Sequence, residues 1–228
     1  MKDGRRKTED GKTEDGKPLV AVIDYGAGNL TSVRKALAAV GASSFLPESL
    51  GDLDDADGIV IPGVGHFEAT KQIGDEWRQA IVAAVERGTP LLGICLGMQY
   101  LFEGSEEAPE VRGLGLFAGR CTRLPPRVKV PHVGWNALST RRRSVLLRGI
   151  RDMTQMYFTH SYAAPITKAA VATTEHGVRF AAAVERDRVF GVQFHPEKSG
   201  DAGLRILRSF VDITKSPNPE ITRCSQDA

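Results

Sequence analysis

Two short stretches of this 228-residue chain combine residue types capable of covalent chemistry. The first is Pro90-Leu91-Leu92-Gly93-Ile94-Cys95-Leu96-Gly97-Met98-Gln99, an apolar run entering a cysteine with a glycine two residues to either side. Gly93-x-Cys95-x-Gly97 matches the strand–turn–helix elbow that forces one reactive side chain to the rim of a sheet. A helix starting just after Cys95 would aim its positive N-terminal end at the sulfur and favour thiolate over thiol. The bland alternative is a buried structural cysteine, the commoner fate of this residue type. The second stretch is Gly191-Val192-Gln193-Phe194-His195-Pro196-Glu197-Lys198-Ser199. On an extended segment His195 and Glu197, two apart, point to the same side, and Pro196 fixes the backbone between them. Cys95, His195 and Glu197 would then stand as nucleophile, base and orienter, the logic of a catalytic triad. A thiol of ordinary pKa ~8.5 is mostly protonated at neutral pH, so a paired imidazole is useful to it. Taken by itself, the second stretch is better served by a mere surface hydrogen bond between His195 and Glu197.

The elements that must position these residues follow from periodicity. Residues 19–24 are an almost wholly apolar strand of the kind buried on both faces of a parallel sheet. Asn29 is a plausible N-cap for a helix over residues 30–40, which Gly41 ends. Gly26-x-Gly28 after this first strand lacks the third glycine of a dinucleotide fingerprint, Thr31 standing in its place. Strands are expected at residues 43–46 and 57–61, the latter running into the turn Pro62-Gly63-Val64-Gly65, whose backbone N–H groups suit an anion. Helical material over residues 66–87, broken near Gly74, precedes the strand at 91–94, and a further helix is expected to continue through Met98, Leu101 and Phe102. Strand-like segments follow at residues 113–123 and 155–162, and residues 128–136 between them hold the dense cluster Pro131-His132-Val133-Gly134-Trp135-Asn136. Three more strands, at 169–174, 180–185 and 189–194, are separated by polar turns and suggest antiparallel hairpins. An amphipathic helix over residues 203–215 closes the pattern. The fold class expected is α/β: a doubly wound, mostly parallel, flavodoxin-like sheet with an added antiparallel hairpin region.

Composition narrows the function classes. A formal net charge of +2 gives no reason to expect nucleic acid or a membrane surface as partner. No apolar run approaches the ~20 residues of a membrane span, and the N-terminus has no apolar core of a secretory signal. Three cysteines, Cys95, Cys121 and Cys224, are too few and too scattered for a disulfide scaffold or a zinc site. A reducing cytoplasm is the expected home, with no metal and no cofactor. Residues 1–17, with a tandem Lys-Thr-Glu-Asp-Gly at 7–11 and 12–16, read as a disordered charged tail. The domain is expected over residues 18–215, with a loose tail over 216–228. Arg141-Arg142-Arg143 reads as a solvated loop.

Gly93-Ile94-Cys95-Leu96-Gly97-Met98-Gln99 together with Phe194-His195-Pro196-Glu197 resembles the class I, or triad-type, glutamine amidotransferase family. Four segments narrow the resemblance: Asp24-Tyr25-Gly26-Ala27-Gly28-Asn29, Pro62-Gly63-Val64-Gly65-His66-Phe67, Pro131-His132-Val133-Gly134-Trp135-Asn136 and His195-Pro196-Glu197-Lys198-Ser199. Within the family they are similar to the glutaminase subunits of imidazole glycerol phosphate synthase, and the likeness spans roughly residues 19–213. The resemblance implies that Cys95 attacks the glutamine carboxamide, that His195 moves the proton and that Glu197 orients the imidazole. It implies an oxyanion site from the Leu96 N–H and one N–H of the turn Gly63, Val64, Gly65. Gln99, Glu107 and the Ser161 and Tyr162 backbone are carried over for glutamine recognition, with Glu106 offering the same chemistry as Glu107. The implied partner in a heterodimer is a separate cyclase subunit built as a (β/α)8 barrel, since a barrel needs ~250 residues of its own. Asn29, Trp135, Asn136, Tyr157, His160 and Lys198 would lie toward it. Core packing of Trp135 and Tyr157, and a satisfied buried His160, are the alternatives. A flip in the glycine turn, biased by the partner, is the expected means of control. Sibling amidotransferases of pyridoxal phosphate or anthranilate synthesis, a catalytically silent scaffold, and a related cysteine protease or esterase are the competing readings.

Overall fold

The computed structural model describes residues 16–216, so the tails expected at 1–17 and 216–228 lie almost wholly outside the described residues. In chain order β1 (Leu19–Val22) is followed by α1 (Leu30–Ala39), β2 (Ser43–Phe45) and β3 (Gly58–Ile61). A 3-10 stretch (Phe67–Ile73) leads into α2 (Gly74–Glu86), β4 (Leu91–Ile94), α3 (Leu96–Tyr100) and β5 (Phe102–Ser105). Then come β6 (Phe117–Arg123), β7 (His132–Ala137), β8 (Ser139–Thr140), β9 (Gln155–His160) and β10 (Tyr162–Ala163). The chain ends with β11 (Ala170–Glu175), β12 (Arg179–Arg186), β13 (Val189–Val192) and α4 (Gly200–Thr214). Among the described residues no helix is long and apolar enough to cross a membrane.

The main sheet has eight strands in the order β2-β1-β3-β4-β13-β12-β11-β8. The first five run parallel, and β12, β11 and β8 extend the sheet antiparallel. This is the doubly wound sheet with an antiparallel addition that the strand pattern anticipates. The parallel strands are apolar throughout because both faces are covered. Val20, Val22, Val60 and Leu92 pack into one core with Leu37 of α1 and Phe210 of α4. Leu19, Ala21, Ile59 and Leu91 face the other way, into a core with Ile81 of α2. The start of α1 is fixed by Asn29, whose side-chain oxygen accepts from the Ser32 N–H at 3.2 Å. Gly41, at φ +89°, lets the chain turn away at its end.

Three local expectations give way to long-range pairing. The helix after Cys95 stops at Tyr100 instead of running through Phe102. Phe102 is captured by the parallel partner β6, where it pairs Phe117 in register and their rings lie 5.5 Å apart. The aromatic run over 155–162 is cut at Ser161, because β9 pairs with β7 whereas β10 pairs with β6. Finally, β13 is antiparallel to β12 but parallel to β4, so it belongs to the central sheet as much as to the hairpins. Arg141, Arg142 and Arg143 are exposed, as expected, though Arg142 also donates to the Glu185 carbonyl at 2.7 Å.

The elbow between β4 and α3 exists only because its glycines are bare. A Cβ on Gly93 would lie 2.6 Å from the Gly97 carbonyl oxygen, and one on Gly97 would overlap the Ile61 carbonyl oxygen at the end of β3. Both obstacles are backbone, which cannot swing aside as a side chain does. Gly97→Ala is therefore expected to lower the unfolding free energy by about 2 kcal/mol or more, read as an earlier urea midpoint at unchanged slope. An unaltered midpoint would contradict this close approach.

Candidate active site

Parallel register builds the site. Gly191 pairs Gly93 and Val192 pairs Ile94, so Gln193 and Cys95 leave the ladder as neighbours. The Cys95 N–H still donates to the Val192 carbonyl at 2.7 Å. The backbone then turns at Cys95 with φ 54° and ψ −105°, a conformation that costs an L-residue about 1–3 kcal/mol. Its sulfur faces the Thr159 carbonyl and the Gln193 side-chain nitrogen, each at 3.6 Å.

His195 arrives from the end of β13. Its backbone N–H donates to the Tyr157 carbonyl at 2.8 Å. Ser199 Oγ–H donates to the His195 carbonyl at 2.6 Å and accepts from the Tyr157 N–H at 3.0 Å, so one hydroxyl ties the histidine's segment to β9. His195 Nδ1–H donates to Glu197 Oε1 at 2.8 Å, with both side chains only 2% exposed. The extended geometry expected between the two residues is not what joins them. Pro196–Lys198 forms a 3-10 turn, and its curvature, not strand alternation, brings the carboxylate back to the ring.

His195 Nε2 is buried without a hydrogen-bond partner among the described residues. Burial disfavours the imidazolium, but the nearness of Cys95 outweighs it, with Glu197 adding to the effect. The net result lifts the His195 pKa from 6.5 to about 9. At neutral pH the ring is therefore a cation beside the sulfur. The chemistry this permits is nucleophilic attack by the Cys95 sulfur with an acid already in place.

Above the sulfur is a cavity of about 200 Å³. Gly65, Leu96, Gln99, Glu107, Ser161 and Tyr162 line it with Cys95, and Pro131, Thr159 and His160 complete the wall. Glu107 and Glu106 separate cleanly: Glu107 accepts from the Phe67 N–H at 2.8 Å on the cavity side, whereas Glu106 turns away to the Arg123 N–H at 3.1 Å. Gly63 and Val64 are not on the cavity wall. Gly63 is packed beneath it, where a Cβ would overlap the Tyr25 hydroxyl and lie 2.7 Å from Leu96 Cβ. That hydroxyl donates to the Pro62 carbonyl at 2.6 Å, and burial with Cys95 nearby raises its pKa well above the ordinary value. The turn is thus pinned at Pro62 and open at Gly65, which is exposed at φ +111°.

The residues expected to face a partner divide into two groups. Trp135 is 57% exposed, which removes the core reading for it. Half-buried Tyr157 meets it edge-on at 6.0 Å, and the ammonium of exposed Lys198 sits 5.9 Å from the Tyr157 ring centre. Asn29 is exposed but engaged as a helix cap. Asn136 and His160 point inward instead. Asn136 donates to the Glu175 carbonyl at 2.9 Å, and His160 is a satisfied buried histidine bonded to His132 and to the Tyr162 carbonyl.

Gln193, Thr159 and Ser199 escaped the sequence reading as site residues. Gln193 and Ser199 stand inside the His195 motif, so proximity in sequence was the available signal. Thr159 acts through its carbonyl, which no residue type can announce.

Comparison with known proteins gives the family. A family model described as glutamine amidotransferase class-I matches residues 21–213. The chain belongs to the class I glutamine amidotransferase family. Among relatives within it, imidazole glycerol phosphate synthase subunit HisH of Methanothermobacter thermautotrophicus is 45% identical, over 87% of this chain and 100% of that protein. The subunit of the same name from Halobacterium salinarum is 50% identical, over 85% of this chain and 92% of its own length. A crystal structure titled glutamine amidotransferase shares the amidotransferase fold with a TM-score of 0.69 at 18% identity, covering 86% of this chain and 99% of that one. A putative GMP synthase component from Thermoplasma acidophilum does so with a TM-score of 0.67 at 18% identity, covering 87% and 94%.

Removing the sulfur should expose what holds the imidazole charged. In Cys95→Ala the influence of the sulfur is gone and burial acts against the cation, so the His195 titration should fall clearly below about 9. Nitrogen NMR of the labelled imidazole reads this directly. A midpoint unchanged from the wild type would show that Cys95 does not set it.

Proposed function

We propose that the chain is the glutaminase subunit of an imidazole glycerol phosphate synthase, releasing ammonia from L-glutamine for histidine biosynthesis. The observation carrying this reading is the sulfur of Cys95 at a strained elbow, beside the buried His195–Glu197 pair and under a cavity sized for a small substrate. Relatives named as that synthase subunit, at 45% and 50% identity over nearly their full lengths, direct it to this pathway. The relatives compared above bear the name of this synthase subunit and not of a sibling amidotransferase, and a silent scaffold would not need the three reactive groups assembled.

Cys95 Sγ attacks the side-chain carbonyl carbon of glutamine, and a tetrahedral oxyanion forms. The imidazolium of His195 gives its Nε2 proton to the amide nitrogen, the C–N bond breaks, and ammonia leaves a glutamyl thioester. Water then attacks the thioester with the neutral imidazole as base, and the C–S bond breaks to give glutamate. Glu197 holds Nδ1–H throughout, which fixes the ring and stabilises its charged form. The Leu96 N–H and an N–H of the turn Gly63, Val64, Gly65 stabilise the oxyanion, each such donor being worth ~3 kcal/mol of barrier. Gln99, Glu107 and the Ser161 and Tyr162 backbone receive the rest of the substrate. The domain spans residues 18–215 and needs no cofactor or metal. It works in the cytoplasm, in keeping with its free cysteines Cys95 and Cys121.

The ammonia is used by a separate cyclase subunit, built as a (β/α)8 barrel, in a heterodimer. Asn29, Trp135, Asn136, Tyr157, His160 and Lys198 lie toward it: Asn29, Trp135 and Lys198 are exposed, Asn136 and Tyr157 half-buried, and His160 stands buried behind them. Partner binding biases the glycine turn toward the orientation that completes the oxyanion site, a population shift in a two-state element. Pinning at Pro62 and the open φ +111° at Gly65 favour a reorientation confined to the turn's distal part.

Cys95→Ala is expected to abolish glutamine hydrolysis while the complex still cyclises with added ammonium salts. In the wild type, turnover on glutamine should fall as pH rises through about 9, where the imidazolium that protonates the leaving amide nitrogen is lost. Retained glutaminase activity in Cys95→Ala would refute the assignment.

A further inference from the structure

A run of hydrogen bonds leads from the Tyr162 carbonyl to the nucleophile, and its direction is fixed at one end. A carbonyl oxygen only accepts, so the group 2.8 Å from it must be the amide nitrogen of Gln99. That nitrogen also lies 3.1 Å from one terminal atom of Gln193, which must therefore be the acceptor, Oε1. The other terminal atom of Gln193 is then its NH2, and this is the atom 3.6 Å from Cys95 Sγ. Neither amide can flip without setting donor against donor or acceptor against acceptor.

The same carbonyl fixes the other branch. His160 Nδ1 lies 2.9 Å from it and must donate, leaving Nε2 to accept from His132 Nδ1–H at 3.0 Å. His132 Nε2 in turn accepts from the Asn136 side-chain N–H at 3.3 Å, so both rings are held neutral. Burial pushes the same way, lowering His132 to about 4 and His160 to about 3. No cation comes to the sulfur from that side of the cavity.

Gln193 is itself fully buried, and its place beside Cys95 is set by the β4–β13 register. Opposite it, the Thr159 carbonyl at 3.6 Å accepts only from the thiol form and repels a thiolate. The other titratable groups facing the sulfur are His195 with Glu197 behind it, His160 and Glu107 across the cavity, and Tyr25 below. A fixed neutral donor is what balances the Thr159 carbonyl.

We propose that Gln193 is a positioning residue for the nucleophile: its N–H, held in direction by Gln99 and the Tyr162 carbonyl, donates to Cys95 Sγ and favours the thiolate. This rests on the reading of Cys95 as the nucleophile. It assigns Gln193 no contact with glutamine, so its loss lowers kcat and leaves KM little changed.

The test is the pH dependence of iodoacetamide alkylation at Cys95, read by mass spectrometry of the Cys95 peptide in the full chain without glutamine. Gln193→Met keeps the length and removes the donor, and Gln193→Leu provides a second apolar replacement should the first not fold. The alkylation midpoint is expected to rise by about one pH unit, with reaction at neutral pH about tenfold slower. A folded variant that alkylates with the wild-type profile overturns the proposal. Because alkylation needs no turnover, a shifted midpoint in a chain that lacks glutaminase activity even with its cyclase partner and acceptor present would count against the proposed function and leave the role of Gln193 standing.

Discussion

Everything at the catalytic end of this molecule depends on the backbone of Cys95 taking a conformation that an L-residue resists. At φ 54° and ψ −105° the chain reverses within one residue, and the sulfur is carried to the rim of the sheet beneath the cavity, in a residue that stays buried. Holding that turn requires β4 and α3 to approach without side chains between them, which bare Gly93 and Gly97 permit. It also requires that Met98 seat directly on the sheet, where a Cβ on Gly191 would lie 2.7 Å from its Cγ. The strain is thus distributed over contacts of β3, β4, α3 and β13, each rigid because it is backbone against backbone or buried side chain. A reactive group held this way has little freedom to leave its partners.

Those partners supply opposing influences on one sulfur. His195, charged because Cys95 and Glu197 outweigh its burial, favours the thiolate, and so does the Gln193 amide. The Thr159 carbonyl favours the thiol. The neutral His132–His160 pair keeps further positive charge out of the cavity. In the proposed reaction substrate and oxyanion would then meet one cation, on the side where the leaving nitrogen needs its proton. The exposed Trp135, Tyr157 and Lys198 lie on the β7–β9 ribbon and the His195 turn, so a protein bound there touches the same two segments that hold His195 in place.

Much of this architecture is legible in the residues. The apolar strands, the Asn29 cap, the Gly41 stop and the break at Gly74 are local signals, and each stands where periodicity puts it. The elbow is legible for the same reason, since two glycines around a cysteine have a steric meaning at once. What local pattern does not contain is choice of partner strand. The loss of Phe102 to β6, the cut at Ser161 and the double allegiance of β13 are all decided by pairing with distant segments. Site detail hides behind the same barrier: Gln193 reaches Cys95 only through the register of β13 on β4, and the choice between Glu106 and Glu107 is made by Arg123 and Phe67. The pairing of His195 with Glu197 was anticipated for a different geometry from the 3-10 turn that makes it.

The most direct test of the central claim is to catch the covalent intermediate. Wild-type chain, with its cyclase partner and acceptor present, would be mixed with glutamine, quenched in acid within a turnover, and digested for mass spectrometry. The account predicts a glutamyl adduct on the peptide containing Cys95, formed at the rate of ammonia release and lost on return to neutral pH. Turnover of glutamine with that peptide unmodified at every time, or with the adduct on another residue, would contradict it.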